Sequence, residues 1–375
     1  MSLDLLSTLR QLRHDGRAAL ERNDSAGIQA VIQVALAGAR AEGAPQSAAV
    51  ARELLGIATD LFAAGAPGDI ESLFDCALRR IEGAPDASLG VVLMIWFNLA
   101  CLYDQHGAGE LRQQTVSQIG HVATHYAGPI DRDCAEVFER MAGVAKASGN
   151  VDFMLTLYAQ AHRYWSADPG VDPQQRADWC NRYLHAATGA GRDTEALAAE
   201  AAEAAAGAGA HRLRAEALLM LLRHQKARGD RAAARRTLEA ALEALAAGHD
   251  TDSEVAAVVY QNLAALQLQE PPGPGDARAA EWLDTTLRIL TQRDLARGRD
   301  YAACLRERSL LAGRLGDWRT AARCQERAAA VADIEPAEIT EALSHAGDAW
   351  YRLGAYEDAG RCYLHAVQRR GMADA

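Results

Sequence analysis

The chain has 375 residues, of which 39 are lysine or arginine and 50 are aspartate or glutamate, so its formal net charge is −11. A composition of 49% hydrophobic and 24% charged residues is typical of a folded chain and excludes an intrinsically disordered or membrane-embedded one. The only two lysines are Lys146 and Lys226, and the absence of a G-x-x-x-x-G-K-[ST] run excludes a Walker-type nucleotide site. The acidic net charge argues against nucleic acid as a partner.

The N-terminal sequence and the cysteines bear on the cellular location. Residues Met1-Ser2-Leu3-Asp4 lack the basic and apolar regions of a signal peptide, so none is expected. No stretch reaches the roughly 18 uncharged apolar residues of a membrane span, so we expect no membrane partner. The cysteines lie in apolar helical patterns without C-x-x-C spacing, where a free cysteine acts as a small hydrophobic residue, and this favours the cytoplasm. They are Cys76, Cys101, Cys134, Cys180, Cys304, Cys324 and Cys362.

A turn residue recurs at a nearly fixed interval along the whole chain. The first four steps are 42 residues each, and the next four are 38, 46, 41 and 38 residues. The 46-residue step contains the proline-rich run 270–275, which predicts a lengthened loop because proline cannot lie in a helix interior. The turn residues are Asn23, Gly65, Gly107, Gly149, Gly191, Gly229, Gly275, Gly316 and Gly354.

The same apolar pattern surrounds each turn residue. Apolar positions at intervals of 3, 4 and 7 predict amphipathic helices, and the glycine between them is expected to provide a left-handed helix end. Five residues after the turn comes a core position, occupied by Ile28, Ile70, Met154, Ala196, Ala234, Ala280, Ala321 and Ala359. The pattern predicts an all-α fold of nine antiparallel helix pairs at approximately 3–42, 46–84, 88–127, 131–167, 173–208, 211–249, 253–295, 299–334 and 337–373.

The last units resemble the tetratricopeptide repeat (TPR). The final unit combines Gly347, Trp350, Gly354, Tyr356 and Ala359 at the spacing of that motif. The period near 42 residues is similar to the longer variety of kinesin light chains and bacterial sensor proteins. The resemblance covers nearly all of the chain and is strongest from about residue 210. The resemblance is weaker in the first unit, where Asp15 fills a position expected to be apolar, and in the third, where Arg112 replaces the small residue of the second helix. A terminal cap or a locally different packing angle would explain these departures.

The resemblance implies one α-α superhelix, a solenoid spanning residues 1–375, that binds a protein or peptide on its concave surface and is not an enzyme. That surface is lined by the first helix of each pair. In unit one, the corresponding positions include Arg10, Arg13 and Arg17, a basic stripe at helical spacing. The stripe predicts an acidic segment or a C-terminal carboxylate as ligand, through bidentate arginine contacts. The alternative is a solvated face of a terminal helix pair.

Further candidate partner-binding residues lie in three other units. Unit three offers Asn98 and Asp104, and unit seven offers Asn262. An asparagine at that position binds either a ligand backbone or a neighbouring loop. Unit nine offers three further contacts, of which the tyrosine is also suited to face another subunit, so a homodimer is left open. These three residues are Asp348, Tyr351 and Arg352.

Two clusters suggest other chemistry, and we interpret neither as a site. His121 and His125 lie four residues apart, a spacing that can bring two imidazoles to one metal ion, but no H-E-x-x-H motif is present. The basic residues within 223–236 lack interleaved aromatics, so we expect a solvated helix corner instead of a phosphate-binding patch. We therefore expect no metal and no cofactor.

Two functions remain after these exclusions. The first is a cytosolic, non-catalytic adaptor that holds a partner protein or peptide in the concave groove. The alternative is a regulatory sensor, whose superhelix changes shape when a small peptide or metabolite binds and so controls a partner protein. A change in dimensions on ligand binding distinguishes the two.

Overall fold

The computed structural model describes residues 2–41, 47–82, 84–125, 130–147, 149–331 and 334–373. Within these ranges all regular secondary structure is helical, and eighteen α-helices follow one another in pairs. The predicted all-α helical-repeat fold is confirmed. In the same ranges no helix combines the length and the apolar character needed to cross a membrane.

The chain divides into two compact parts, each made of several helix pairs. They are called unit 1 (Met1–Val171) and unit 2 (Asp172–Ala375) from here on and are described separately. The prediction of one continuous solenoid therefore stays a prediction. Unit 1 contains α1 (Ser2–Glu21), α2 (Ser25–Arg40), α3 (Ala48–Ala63), α4 (Ile70–Ile81), α5 (Leu89–Gln105), α6 (Gly109–His125), α7 (Arg132–Ala147) and α8 (Val151–Ala167). Unit 2 contains α9 (Pro173–Gly189), α10 (Glu195–Gly207), α11 (His211–Ala227), α12 (Arg231–Ala247), α13 (Glu254–Leu268), α14 (Gly275–Gln292), α15 (Arg299–Arg314), α16 (Trp318–Ala329), α17 (Pro336–Arg352) and α18 (Tyr356–Ala373).

Each unit is built from the same two kinds of packing. The two helices of a pair pack on each other, and first helices of successive pairs also touch, as α1 touches α3 and α13 touches α15. The buried positions carry mainly alanine and leucine, with larger side chains such as Phe74, Phe138 and Trp179 at intervals. Small residues at these positions allow the helix axes to approach.

Local chemistry explains where the second helices begin. A residue with positive φ follows the first helix in eight of the pairs, and in four of these the next residue, Asp24, Asn150, Asp230 or Asp317, is the N-cap of the second helix. The Asp230 carboxylate, for example, accepts a hydrogen bond of 2.9 Å from the backbone N–H of Ala233, satisfying one of the free amides of the first turn. The left-handed residues between the two helices of a pair are Asn23, Gly65, Gly107, Gly149, Gly191, Gly229, Gly316 and Gly354, with φ between 53° and 81°.

The ninth predicted turn residue, Gly275, is an exception. It does not have a positive φ and is instead the first residue of α14. A Cβ atom at this position would lie 2.6 Å from Oε1 of Gln267. The end of the Gln267 side chain therefore fills the space beside Gly275 and would have to move for a Cβ atom, and the expectation of a left-handed helix end was wrong.

The predicted core position Ala196 is also wrong. Helix α10 begins four residues after its turn glycine, whereas α12 and α16 begin two residues after theirs. This longer connection rotates the phase of the helix, so that Ala196 is exposed and the buried face shifts to Ala198, Ala201, Ala202 and Ala205. Thr194, the residue immediately before α10, is also buried.

A glycine in α5 sets the spacing of three successive pairs in unit 1. A Cβ atom on Gly90 would lie 2.3 Å from Cβ of Asp133 and 2.7 Å from the backbone nitrogen of Cys134, so the start of α7 rests directly on α5. The approach brings Asp133 within reach of α3, where Arg52 donates to its carboxylate across 3.0 Å. This ion pair links the second pair of helices to the fourth.

Candidate functional site

The predicted basic stripe of α1 faces carboxylates of α3. Arg10 donates to Glu53 across 3.1 Å, while Arg13 and Arg17 donate to the same oxygen of Asp60 across 2.9 and 2.8 Å. Burial alone would raise the pKa of Asp60, but the hydrogen bonds and charges of Arg17 and Arg13 outweigh it and hold that pKa below its ordinary value. Each arginine of the stripe is therefore already paired within the chain, with three arginines sharing the two carboxylates of Glu53 and Asp60.

The two candidates of α5 have different surroundings. Asn98 is buried, and its side-chain amide donates to the carbonyl oxygen of Met94 across 2.8 Å, within its own helix. Asp104 is exposed and accepts a hydrogen bond of 2.8 Å from Arg112 of α6. This ion pair lies at the edge of a largely apolar cavity of about 260 Å³ between α5, α6, α7 and α8, which Phe97 and Phe153 also line.

The first helices of unit 2 are joined by polar bridges. Asn262 of α13 accepts from Nζ of Lys226 of α11 across 2.9 Å, and its amide donates to the Val258 carbonyl. The neighbouring Gln261 donates across 3.4 Å to Glu307 of α15, whose pKa is raised by burial. The predicted residue Asn262 therefore binds a neighbouring helix in this structure.

A cavity of about 470 Å³ lies between α15, α16 and α17. Its floor consists of small side chains, among them Ser309, Ala321 and Ala349, which leave the space open. Two of the predicted residues, Asp348 and Arg352, lie on its rim. The structure thus brings these two together at one concave feature.

The charged groups on the rim differ in the partners that they contact. Arg314 donates to the carbonyls of Leu268 and Glu270 across 2.5 and 3.1 Å, and Asp348 accepts from the hydroxyl of Tyr363 across 2.7 Å. The guanidinium carbon of Arg352 lies 4.6 Å from the ring centroid of Trp318, a cation–π contact.

Among the residues that the structure describes, no carboxylate oxygen lies within 4.0 Å of the Arg352 guanidinium. This arginine therefore keeps its charge available. The contrast is with Arg10, Arg13 and Arg17, each of which already has a carboxylate partner.

A buried amide also lines this cavity. Gln325 of α16 is only 3% exposed, and its Oε1 has no hydrogen-bond partner among the described residues. A buried acceptor without a donor costs about 1–3 kcal/mol, and because this oxygen is itself shielded from solvent, a ligand N–H recovers this energy only when the amide turns towards the cavity. Sequence reasoning missed Gln325; the available signal was a polar residue on the otherwise apolar face of α16.

Tyr351, the remaining candidate of α17, is 60% exposed. Its ring makes an edge contact with Tyr356 of α18, with the centroids 5.3 Å apart. Both aromatic rings are therefore presented to solvent at the turn between the two helices.

The two histidines set aside as a metal site lie against each other. The ring centroids of His121 and His125 are 4.4 Å apart, and Nδ1 of His125 is 3.0 Å from the His121 carbonyl oxygen. The expected absence of a metal at this position stays a prediction. In the basic cluster of 223–236, Arg228 and Arg235 pair with Glu195 and Glu270 of neighbouring repeats.

No family model matches the chain, and no curated protein matches it. Solved structures do. A signal transduction ATPase with a tetratricopeptide repeat sensor from Pyrococcus horikoshii is 13% identical, with a TM-score of 0.45 over 84% of this chain and 50% of that chain. A Rap protein complexed with competence and sporulation factor is 11% identical, with a TM-score of 0.37 over 87% and 98% of the two chains. TPR-like repeats of a kinesin light chain from Podospora anserina are 15% identical, with a TM-score of 0.37 over 54% and 98%.

Similarities at these identities and scores carry no argument about ligand or activity. The TPR-like resemblance rests on the helix pairs themselves, with their left-handed turn residues and small core side chains, and it is confirmed at the level of fold.

Proposed function

We propose that the chain is a non-catalytic adaptor that binds an extended acidic segment of a partner protein, with the α15–α17 cavity as its anchoring site. The observation that carries this proposal is a pair of unsatisfied groups in one cavity: the Gln325 amide oxygen lacks a donor, and the Arg352 guanidinium lacks a carboxylate within the described residues. A peptide supplies both missing groups, a backbone N–H and a side-chain or C-terminal carboxylate.

The geometry of the cavity supports a peptide as ligand. The cation–π contact with Trp318 holds the Arg352 guanidinium at the cavity, where its planar fork can make a bidentate contact with a carboxylate. The floor of small side chains leaves room for one apolar side chain of the peptide. A volume of about 470 Å³ lies within the range of small-ligand pockets, so it suits a short anchoring segment.

The other predicted residues have secondary roles in this proposal. Because Arg10, Arg13 and Arg17 already pair with carboxylates of α3, an acidic peptide must compete with those carboxylates, and we expect a weaker contribution from the stripe than from Arg352. Asp348 flanks Arg352 and orients Tyr363. The remaining exposed or half-buried candidates, Asp104, Asn262 and Tyr351, are proposed as further contacts of first-helix faces.

A cytoplasmic location is part of the proposal. All seven cysteines are free thiols, and six of them are buried. Free thiols are typical of chains in a reducing compartment, which supports the cytoplasm over an extracellular setting.

Calorimetry with synthetic ten-residue peptides tests the proposed function. Peptides rich in aspartate and glutamate, with free and with amidated C-termini, are compared with lysine-rich peptides of the same length. We expect binding of the acidic peptides only, and a loss of about tenfold in affinity for Arg352→Gln, as expected when a charged hydrogen bond is removed. Arg361→Gln on α18 is a matched control that lies outside the cavity. Equal binding by wild type and Arg352→Gln would refute the anchoring site.

The regulatory sensor is the alternative function, and the same peptides distinguish it. A sensor requires two conformations with different affinities for the ligand. Small-angle scattering of the full chain, with and without saturating acidic peptide, measures this directly. A changed radius of gyration would favour the sensor, whereas an unchanged one favours the adaptor.

A further inference from the structure

A second cavity of unit 2, of about 460 Å³, lies between α16, α17 and α18. No residue that lines it also lines the α15–α17 cavity, so the two cavities have no side chain in common. Half of its lining is polar and carries one acidic and one basic group of opposite charge, Glu326 and Arg369. The other half is apolar and consists of Ala329, Ala330, Ile339 and Leu343.

The acidic group of this cavity, Glu326, has two carboxylate oxygens with different surroundings. Oε1 accepts from Nε1 of Trp350 across 3.1 Å and from Sγ of Cys362 across 3.4 Å. Arg361 is 3.6 Å from the same oxygen, but it lies closer to Asp358, at 2.9 Å. Oε2 accepts no hydrogen bond within the described part of the chain, and it is not shielded from solvent. The contacts to Oε1 therefore hold the carboxylate in place, while Oε2 is left for a ligand.

The basic group is Arg369 of α18. It is exposed, and among the residues that the structure describes it has neither an ion pair nor a hydrogen bond. Arg369 follows Cys362 by nearly two helical turns, so the two residues lie on the same side of α18, about 10 Å apart along its axis. Because Cys362 contacts Glu326, this spacing separates the carboxylate from the guanidinium along the cavity. Helical side chains lean towards the N-terminus, which directs the guanidinium back towards Glu326.

We propose that this cavity binds a free α-amino acid with an apolar side chain. The ligand ammonium donates to Oε2 of Glu326, the ligand carboxylate accepts from the guanidinium of Arg369, and the ligand side chain packs on the apolar half of the lining. One small molecule thereby supplies a partner for both charges. A simple anion lacks the ammonium, and an internal peptide segment lacks both terminal charges, so neither complements the cavity. The volume lies within the range of small-ligand pockets.

Calorimetry of the full chain with L-leucine tests the proposal. We expect a dissociation constant between about 10 μM and 1 mM, as is usual for so small a ligand. N-acetyl-leucine lacks the ammonium, leucinamide lacks the carboxylate, and glycine lacks the apolar side chain. Each should bind at least about tenfold more weakly than leucine. No binding of leucine up to about 10 mM, or equal binding of leucine and any one of these analogues, would overturn the proposal.

Two variants assign the charged contacts by their ligand preference, which a general loss of structure would not change selectively. Glu326→Gln should weaken leucine binding at least about tenfold and abolish the preference for leucine over N-acetyl-leucine. Arg369→Gln should do the same for the preference over leucinamide. Glu341→Gln and Arg370→Gln are matched controls, since both residues are exposed and neither lines the cavity, and they should bind leucine like the wild type. Variants at 326 and 369 that retain these preferences would refute the assignment.

A further comparison separates this site from the peptide-anchoring cavity. Arg352→Gln should leave leucine binding unchanged, and Arg369→Gln should leave the binding of acidic peptides unchanged, because each residue lines only one of the two cavities. Leucine should also shift the indole N–H resonance of Trp350, which donates to Glu326 and can be assigned with Trp350→Phe. Leucine binding that Arg352→Gln weakens as much as Arg369→Gln does, or an unshifted Trp350 resonance at saturation, would place the ligand elsewhere and overturn the proposal.

Discussion

Nε of Arg13 on α1 donates to Oδ2 of Asp60 on α3 across 2.9 Å, and this ion pair joins the first two helix pairs of unit 1. The side chain of Arg13 also fills the space beside Gly56, where a Cβ atom would lie 2.5 Å from its guanidinium carbon. An arginine that the sequence presents as a partner-binding residue therefore packs between two repeats.

The first prediction concerns the stability of this contact. Asp60→Asn removes the carboxylate and should lower the free energy of unfolding of unit 1 by about 1 kcal/mol near neutral pH, in line with partly exposed ion pairs. Because the pKa of Asp60 in the folded chain lies below the ordinary value of 3.8, its contribution is present above that value and is lost as the pH falls through the lowered pKa. Hydrogen exchange in α1 and α3 measures the change.

The matched control for that prediction is Asp15→Asn. Asp15 accepts only a hydrogen bond from Gln11 of its own helix among the described contacts, so exchange in α3 should not change. A difference between wild type and Asp60→Asn that does not shrink as the pH falls through the lowered pKa of Asp60 would contradict the assignment to charge.

The second prediction concerns the left-handed turns. Gly316 has φ of 77°, a conformation that costs a residue with a Cβ atom about 1–2 kcal/mol, so Gly316→Ala should lower the melting temperature. Gly143 lies inside α7 with no atom within 4 Å of an added Cβ, and Gly143→Ala should raise stability by about 0.5–1 kcal/mol. Calorimetric melting of both variants measures the prediction, which is that the same substitution lowers the melting temperature at position 316 and raises it at position 143. Stabilisation by Gly316→Ala would contradict the argument.

The third prediction concerns Tyr363. Its hydrogen bond to Asp348, together with burial and the nearby carboxylate charge, raises the pKa of Tyr363 to about 12. The contribution of this phenol to stability is thus complete below its ordinary value of 10 and is lost as the pH rises through 12. Asp348→Asn should return the pKa towards 10, as measured by phenolate absorbance. Tyr363→Phe assigns the titration, and a value unchanged by Asp348→Asn would refute the cause given.

The fourth prediction separates stability from binding at Gln325. Gln325→Leu removes the buried oxygen without a donor, so the unliganded chain should become more stable by about 1 kcal/mol or more, while acidic peptides bind less tightly. Gln225 of α11 is also buried with an unpaired Oε1, but it lies outside the cavity. Gln225→Leu should therefore stabilise the chain and leave peptide affinity unchanged. Equal effects of both variants on affinity would remove Gln325 from the site.

The repeat could be read from the sequence because it depends on short-range chemistry. A turn residue with positive φ, such as Gly316, is a local signal, and it recurs with the period of the helix pairs in all but the seventh pair. The two errors came from connections. Gly275 meets Gln267 of the preceding helix, and the longer turn before α10 displaces Ala196, and neither distance can be derived from residue spacing.

The candidate site was less accessible to sequence reasoning. The spacing of Arg10, Arg13 and Arg17 correctly placed them on one face of α1, but their partners Glu53 and Asp60 lie more than forty positions further along the chain. Whether an arginine is paired depends on the register between two repeats, which periodicity alone does not give. The same is true of the unpaired oxygen of Gln325.

The contact at Gly90 has a mechanical consequence. In a stack where each repeat touches only its neighbours, a pulling force is transmitted through one joint at a time. The bare backbone at Gly90 allows the start of α7 to come close to α5, and the Arg52–Asp133 ion pair then spans the joint between α3 and α7. Three successive helix pairs of unit 1 are thereby connected, so a pulling force across them is shared between the α5–α7 contact and the Arg52–Asp133 ion pair.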